Sequence, residues 1–250
     1  MVNILCVIPS RIGSTRLPRK PLLPIQGKPM VQWVYENAAH CDFFTEVIVA
    51  TDSTEIAAVI TSVGGKVMMT DPHLPTGSER VAAVAEKIRD VDVVVNLQGD
   101  EPFITPTMLR QLVLPYLNNE TPEMTTLAMS LDIHGEKYRE VGAVKVITDL
   151  HGNAIYFSRS PIPYLRQQMV EKIPVYHHMG VYAFRKDFLM HYKTLSQTPL
   201  EKAESLEQLR VLEHGFKIRV CLTAEKSIEV NTPEEYAQAQ LFPRPSSSTL

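Results

Sequence analysis

Four short apolar runs, at residues 4–8, 47–50, 67–69 and 93–95, alternate with stretches in which apolar residues recur at helical spacing. The stretch from about residue 29 puts Val31, Val34, Tyr35 and Ala38 on one helical face and starts with proline in its first turn. Residues 56–63 read as a second helix, stopped by the Gly64-Gly65 pair, and residues 79–88 as a third. The run at 93–95 is wholly apolar, as expected of a central strand buried on both faces. This rhythm predicts an α/β fold: an open, largely parallel, twisted sheet with helices on both faces.

The rhythm changes after about residue 120. Residues 144–148 and 155–158 flank His151-Gly152-Asn153 as the arms of a hairpin. Residues 181–184 and 218–222 read as strands and residues 206–212 as a helix, which gives the second half the character of a smaller β-rich lobe. From residue 243 the chain is rich in proline and serine and is expected to be a disordered tail.

Composition excludes several classes. Apolar residues at 44% and charged residues at 21% suit a water-soluble globular protein of 250 residues. A formal net charge of −3 argues against a surface built for nucleic acid, although it leaves room for a local basic pocket. No stretch approaches the ~18 apolar residues of a membrane span, and the N-terminus lacks a basic leader, so a cytoplasmic location is expected. The three cysteines, Cys6, Cys41 and Cys221, have no metal-ligand spacing; Cys6 and Cys221 fall in apolar runs and read as small buried residues.

Chemistry-bearing residues cluster where strands end. The first strand empties into Pro9-Ser10-Arg11-Ile12-Gly13-Ser14-Thr15-Arg16-Leu17-Pro18-Arg19-Lys20, with four cations, three hydroxyls, a glycine and no acid. Ligands of open α/β sheets sit at such carboxyl ends, and arginine forks, lysine and free N–H groups suit a polyphosphate. The loop is neither a Walker A nor a Gly-x-Gly-x-x-Gly turn; by itself it reads equally as a solvated basic loop. The fourth strand runs into Asn96-Leu97-Gln98-Gly99-Asp100-Glu101-Pro102, where Asp100 is either a ligand for Mg²⁺ or an ordinary turn acid. Thr76-Gly77-Ser78-Glu79-Arg80 is a helix start with the pattern of a capping box, or a place where Gly77 lets the backbone approach a base or ribose.

Taken in order, these motifs resemble those of the 3-deoxy-manno-octulosonate (Kdo) cytidylyltransferases. The likeness starts at Ile8-Pro9-Ser10-Arg11, Ser14-Thr15-Arg16-Leu17-Pro18 and Lys20-Pro21-Leu22. It continues through Ala50-Thr51-Asp52, the Thr76 and Gln98 segments, Val144-Lys145-Val146, Tyr156-Phe157-Ser158-Arg159 with Ile162-Pro163, and His178-Met179-Gly180-Val181-Tyr182. It closes with Leu206-Glu207-Gln208-Leu209-Arg210 and Thr232-Pro233-Glu234-Glu235. The opening motif is shared more loosely with other sugar nucleotidyltransferases; the arginine, histidine and Glu-Gln segments are closer to the Kdo branch.

The resemblance implies a single nucleotidyltransferase domain over residues 1–242. Its nucleotide-binding part would span about 1–120, its sugar-binding and dimerisation part about 121–222, and a segment of about 223–242 would return to the metal site. It implies transfer of CMP from CTP to the anomeric hydroxyl of Kdo for lipopolysaccharide biosynthesis, with Mg²⁺ as cofactor and a homodimer as the assembly. Pro9, Ser10, Arg11, Ser14, Thr15, Arg16, Lys20, Thr76, Gly77, Arg80 and Gln98 would hold the nucleotide, with Arg16, Lys20 and Asp100 catalytic. Arg159, His178, Tyr182, Glu207 and Gln208 would hold the acidic sugar. Each of these has a plain alternative: His178 as a satisfied structural histidine, Tyr182 as core, Glu207 paired with Arg210 three residues on.

One position departs from the family. The residue before Thr-Pro-Glu is usually an aspartate that helps hold the metal; here it is Asn231, whose carbonyl keeps an oxygen for the metal but removes a charge. Weaker metal affinity or slower turnover is the expected consequence, with Glu229 as a neighbour able to compensate. Two alternatives stay open: a cytidylyltransferase for a related acid sugar (8-amino-Kdo or a nonulosonate), and a CTP-binding relative with impaired turnover.

Overall fold

The computed structural model describes residues 2–13, 17–166 and 173–243. The expected tail, apart from residue 243, therefore lies outside the described residues. The chain divides into two compact units, Met1–Arg110 with Lys226–Leu250, and Gln111–Glu225.

In the first unit, β1 (Ile4–Ser10), β4 (Glu46–Thr51), β5 (Lys66–Met69) and β6 (Val93–Asn96) form parallel pairs in the order β6-β1-β4-β5. Between β1 and β4 lie a short hairpin, β2 (Pro24–Ile25) and β3 (Lys28–Pro29), and helix α1 (Met30–Ala39). Every residue of β1 and β6 is buried, which is why both read as unbroken apolar runs rather than alternating ones. Helix α1 buries Met30, Val31, Val34 and Ala38; of the expected face, Tyr35 is only half-buried. Helix α2 (Thr54–Ser62) is capped by Ser53 and ends just before Gly64, whose φ of 78° supplies the left-handed turn. Helix α3 (Gly77–Ala85) starts two residues earlier than expected, because the Thr76 hydroxyl caps it by accepting from the Glu79 N–H. It also ends earlier: beyond Ala85 the Lys87 N–H turns to the Val84 carbonyl, three residues back.

Helix α4 (Pro106–Leu117) contains the boundary between the units. The second unit holds β7 (Met124–Ser130), α5 (Glu136–Arg139), β8 (Lys145–Thr148), β9 (Ala154–Ser158) and β10 (Val175–Arg185). It continues with α6 (Lys186–Tyr192), α7 (Pro199–Glu204), α8 (Leu209–Glu213) and β11 (Ile218–Thr223). Here β11 runs parallel to β7, while β7, β10, β8 and β9 pair antiparallel in that order. The hairpin at residues 151–153 joins β8 to β9, with Gly152 at φ 77°. Two expectations are corrected. The strand expected at 181–184 is β10, eleven residues long. The helix expected at 206–212 forms only from Leu209, so Glu207 and Gln208 precede it.

The last helix, α9 (Pro233–Leu241), belongs to the first unit and opens with a full capping box between Thr232 and Glu235. The segment leading to it is held there by Val230, which packs with Leu17, Ile25, Met30, Phe103 and Ala239 and donates its N–H to the Asp100 carbonyl at 3.0 Å.

Candidate active site

A cavity of about 300 Å³ opens in the first unit where β1 and β6 end. It is lined from three stretches of early chain (Pro9, Ser10, Arg11 and Gly13; Lys20; Thr76, Gly77 and Arg80), from Gln98, Gly99 and Asp100 after β6, and from Asn231. The parallel order β6-β1 sets two carboxyl ends side by side, so the basic loop and the acidic turn, 80 residues apart, meet. Ser14, Thr15 and Arg16 lie outside the described residues.

Lys20 is the hub. Its Nζ donates to Asp100 Oδ2 at 2.7 Å and to Asn231 Oδ1 at 3.0 Å. The Asn231 amide in turn donates to Glu229 Oε1. Two buried oxygens in this wall, Ser10 Oγ and Asp100 Oδ1, have no hydrogen-bond partner among the described residues. Below them the acids crowd: burial pushes the Glu101 carboxyl well above its usual range, and Glu229 and Asp100 add like charge. Ser227 Oγ donates to Glu101 at 3.3 Å. Unpartnered carboxylate oxygen beside a carbonyl and further acids is a donor set for a hard cation. Mg²⁺ characteristically takes one or two carboxylates and completes its shell with phosphate oxygens and water, so the residues present fit it.

The opposite wall is shaped by close approach and by an amide relay. A Cβ on Gly99 would lie 2.4 Å from Ser10 Oγ, and one on Gly77 would lie 3.3 Å from Gln98 Oε1. Gln98 Nε2 donates to Asn96 Oδ1 at 3.0 Å, and Asn96 Nδ2 donates to Ser78 Oγ at 3.1 Å. This relay couples the orientation of the Gln98 amide to that of Asn96. Arg80, almost wholly buried, binds Thr70 Oγ1 and reaches Asp52 Oδ2 at 3.4 Å, while Asp52 Oδ1 accepts from the Ile12 N–H at 3.4 Å. Arg80 thus borders the cavity with its guanidinium already engaged. Of the other cations in the basic loop, Arg19 pairs with Glu55 at the surface.

The residues expected to hold a sugar all lie in the second unit. Arg159 makes its contacts with backbone: Nε to the Glu204 carbonyl at 2.8 Å, and the two terminal nitrogens to the Val141 and Ser205 carbonyls at 3.3 and 3.4 Å. Its own N–H binds Glu204 Oε2 at 2.9 Å. Its carbonyl accepts from Lys145, a fully buried ammonium that also donates to the carbonyls of Glu140 and Ala143. Arg159 is thereby tied to the chain just ahead of Glu207 and Gln208. Gln208 is buried, and its Nε2 has no partner among the described residues. Arg210 forks onto buried Glu201 at 2.8 and 2.6 Å, and the Glu207 carboxylate adds to the negative field at its guanidinium. His178 is buried, 4.9 Å from the Phe157 ring edge to face and 5.6 Å from that of Tyr182.

Sequence reasoning singled out neither Asn96, Ser78 and Asp52 as supports of the cavity nor Glu204, Lys145 and Thr126 in the second unit. Buried polar residues such as Thr126 and Lys145 carry a signal only once the strands that bury them are known.

The chain matches the family described as "Cytidylyltransferase" over residues 5–219. It is 58% identical to a 3-deoxy-manno-octulosonate cytidylyltransferase of Acaryochloris marina across 96% of this chain and 97% of that one. The chain belongs to the 3-deoxy-manno-octulosonate cytidylyltransferase family. A Synechococcus elongatus family member is 48% identical over 97% of this chain and 98% of its own. Among solved structures, a CMP:2-keto-3-deoxy-manno-octonic acid synthetase complexed with CTP superposes with a TM-score of 0.89 at 39% identity, covering 96% of this chain and 97% of that one. A 4-diphosphocytidyl-2C-methyl-D-erythritol synthase from Anaerococcus prevotii, at 16% identity, covers 96% of this chain and 95% of that one with a TM-score of 0.63; it shares the mixed, mostly parallel nucleotidyltransferase fold. Among the described residues no helix is long and apolar enough to cross a membrane.

Proposed function

We infer that this chain transfers CMP from CTP to the anomeric hydroxyl of 3-deoxy-manno-octulosonate, releasing pyrophosphate and supplying the activated sugar for lipopolysaccharide biosynthesis. The observation that carries the reading is the Lys20–Asp100–Asn231 group in the cavity where β1 and β6 end, in a chain of this family. The hydroxyl attacks the α-phosphorus in line and pyrophosphate leaves, so the protein's work is positioning and charge stabilisation rather than covalent catalysis. Lys20 and Arg11, with Arg16, neutralise the triphosphate. Ser10, Ser14 and Thr15 donate to its oxygens, and Pro9 walls the site. Gly77, Thr76 and the Gln98 amide face the cytidine, with Arg80 holding that wall against Asp52.

Asp100, with the Asn231 carbonyl and Glu229 beside it, holds Mg²⁺. When bound, Mg²⁺ neutralises charge developing on the phosphate oxygens. In the second unit Arg159 presents its remaining N–H donors to the sugar carboxylate, and His178, Tyr182, Glu207 and Gln208 meet its hydroxyls; the unpartnered Gln208 Nε2 supports this. Residues 1–242 act as one nucleotidyltransferase domain, working in the cytoplasm as a homodimer. The exposed apolar side chains Leu150, Ile155 and Leu222 offer area for the dimer contact, and sedimentation equilibrium checks it: a monomer at micromolar concentration would refute it.

The test is pyrophosphate release from CTP, Kdo and Mg²⁺, with ATP, GTP and UTP as controls. Release that needs CTP, Kdo and the metal together is expected. Release only with 8-amino-Kdo or a nonulosonate would reassign the sugar. CTP binding without release, cured by Asn231→Asp, would make the natural chain a binding relative disabled at its metal site.

A further inference from the structure

β10 does not run straight past β7. Met179 lies opposite Leu127 and Tyr182 opposite Thr126, so Gly180 and Val181 bulge out of the ladder. The hydroxyl of Thr126, a fully buried residue, sits against this bulge. Its Oγ1 lies 3.2 Å from the Met179 carbonyl oxygen, 3.0 Å from that of Val181 and 3.0 Å from Nε2 of His178.

A hydroxyl has one proton to give, and carbonyl oxygens only accept. Aiming that proton at Nε2 would leave both carbonyl oxygens facing the bare lone pairs of Oγ1 at a fully buried position. The proton therefore goes to a carbonyl, and Nε2 carries its own hydrogen and donates to Oγ1. A neutral imidazole has one N–H, so Nδ1 is left with a lone pair.

We propose that Thr126 is a positioning residue for His178: it fixes the Nε2–H tautomer and so makes Nδ1 a hydrogen-bond acceptor for a hydroxyl of the sugar. The proposal rests on the reading of His178 as a sugar contact. The rings of Phe157 and Tyr182 hold the imidazole plane, so orientation and tautomer are set together. Burial, then the neighbouring His177, push the His178 pKa down to about 3, which keeps the ring neutral at working pH. A fixed acceptor is specific: a hydroxyl satisfies it, and a deoxy or O-alkylated sugar leaves it unpaired.

The first measurement is the ¹⁵N imidazole spectrum of the natural protein, expected to show His178 protonated on Nε2. Protonation on Nδ1 at neutral pH would overturn the proposal. Thr126→Val keeps the shape and removes the hydroxyl. It is expected to lose the single tautomer and to raise KM for Kdo about tenfold, with KM for CTP unchanged within about twofold, while Thr126→Ser restores both. A Val variant that keeps tautomer and Kdo KM overturns the proposal, and so does a Ser variant with the other tautomer, which remains decisive if Val fails to fold. An Nε2–H spectrum combined with an unchanged Kdo KM in His178→Gln would overturn the assignment of His178 to the sugar, and leave the tautomer standing.

Discussion

The two ends of this molecule's chemistry are built on opposite plans. In the cavity of the first unit, charge is crowded and left partly unanswered: Asp100 Oδ1 and Ser10 Oγ are buried without partners, and Glu101 sits protonation-prone beneath them. In the second unit the candidate residues are mostly answered already: Arg159 by three carbonyls, Arg210 by Glu201, His178 by Thr126. An open electrostatic deficit suits a ligand that brings its own charges, a triphosphate with a metal ion. Donors and acceptors already held in place suit a sugar with one carboxylate and many hydroxyls, whose recognition depends on direction more than on crowded charge.

The contrast breaks most readily at Asp100. Asp100→Asn keeps the shape and removes the charge, and it should cost ~10²–10³-fold in kcat with the fold intact. Turnover measured beside a thermal melt decides this; a loss of under tenfold would mean that Asp100 is only Lys20's partner. Chelation by EDTA should abolish turnover and excess Mg²⁺ restore it, while the melting point moves little.

Arg159→Lys tests the other end. A lysine cannot span three carbonyls and still present a fork, so KM for Kdo should rise ~10–100-fold while KM for CTP holds. A CTP effect of equal size would erase the distinction between the two regions.

Gly99→Ala acts on packing rather than charge. The new Cβ would meet Ser10 Oγ at 2.4 Å and the Pro9 carbonyl at 3.2 Å, so the Ser10 side chain or the turn must shift, at a cost of ~1–3 kcal/mol read by denaturant titration. A neutral result would show that the Ser10–Gly99 approach is slack.

These two regions also differ in how far the sequence disclosed them. The first unit's strands were legible because burial on both faces makes them continuous apolar runs, and its cavity because parallel strands align their carboxyl ends. The second unit hid more. β7 carries Thr125 and Thr126, fully buried yet polar, because their hydroxyls find the Leu112 carbonyl and the β10 bulge. β10 carries His177, His178 and Gly180, which break any simple alternation. Helix α4 keeps Pro115 inside it, against local propensity. Glu207 and Gln208 read as helical from spacing, but helix α8 starts only at Leu209. The positions of Arg159 and His178 were recoverable only from the family likeness, since Arg159 is held mainly by backbone carbonyls and His178 by side chains from β7, β9 and β10 that meet only once those strands pair.

The smallest expected effect concerns pH. His178 has a folded pKa of about 3, depressed by burial and then by His177, against ~6.5 when unfolded. Above pH 6.5 both states are neutral at this residue and its contribution is complete. As pH falls from there toward 3, the unfolded chain takes up a proton that the folded one refuses, so stability drops. The loss from this single group is on the order of 1 kcal/mol between pH 7.5 and 5.5. His177, also depressed to about 3, acts in the same direction. Denaturant titrations across that window should show the decline, and His178→Gln, which keeps a donor for Thr126 without a titrating ring, should make it shallower and leave the part due to His177. An unchanged slope in the variant would mean that His178 takes its proton while folded, and the second unit would then hold an open charge after all.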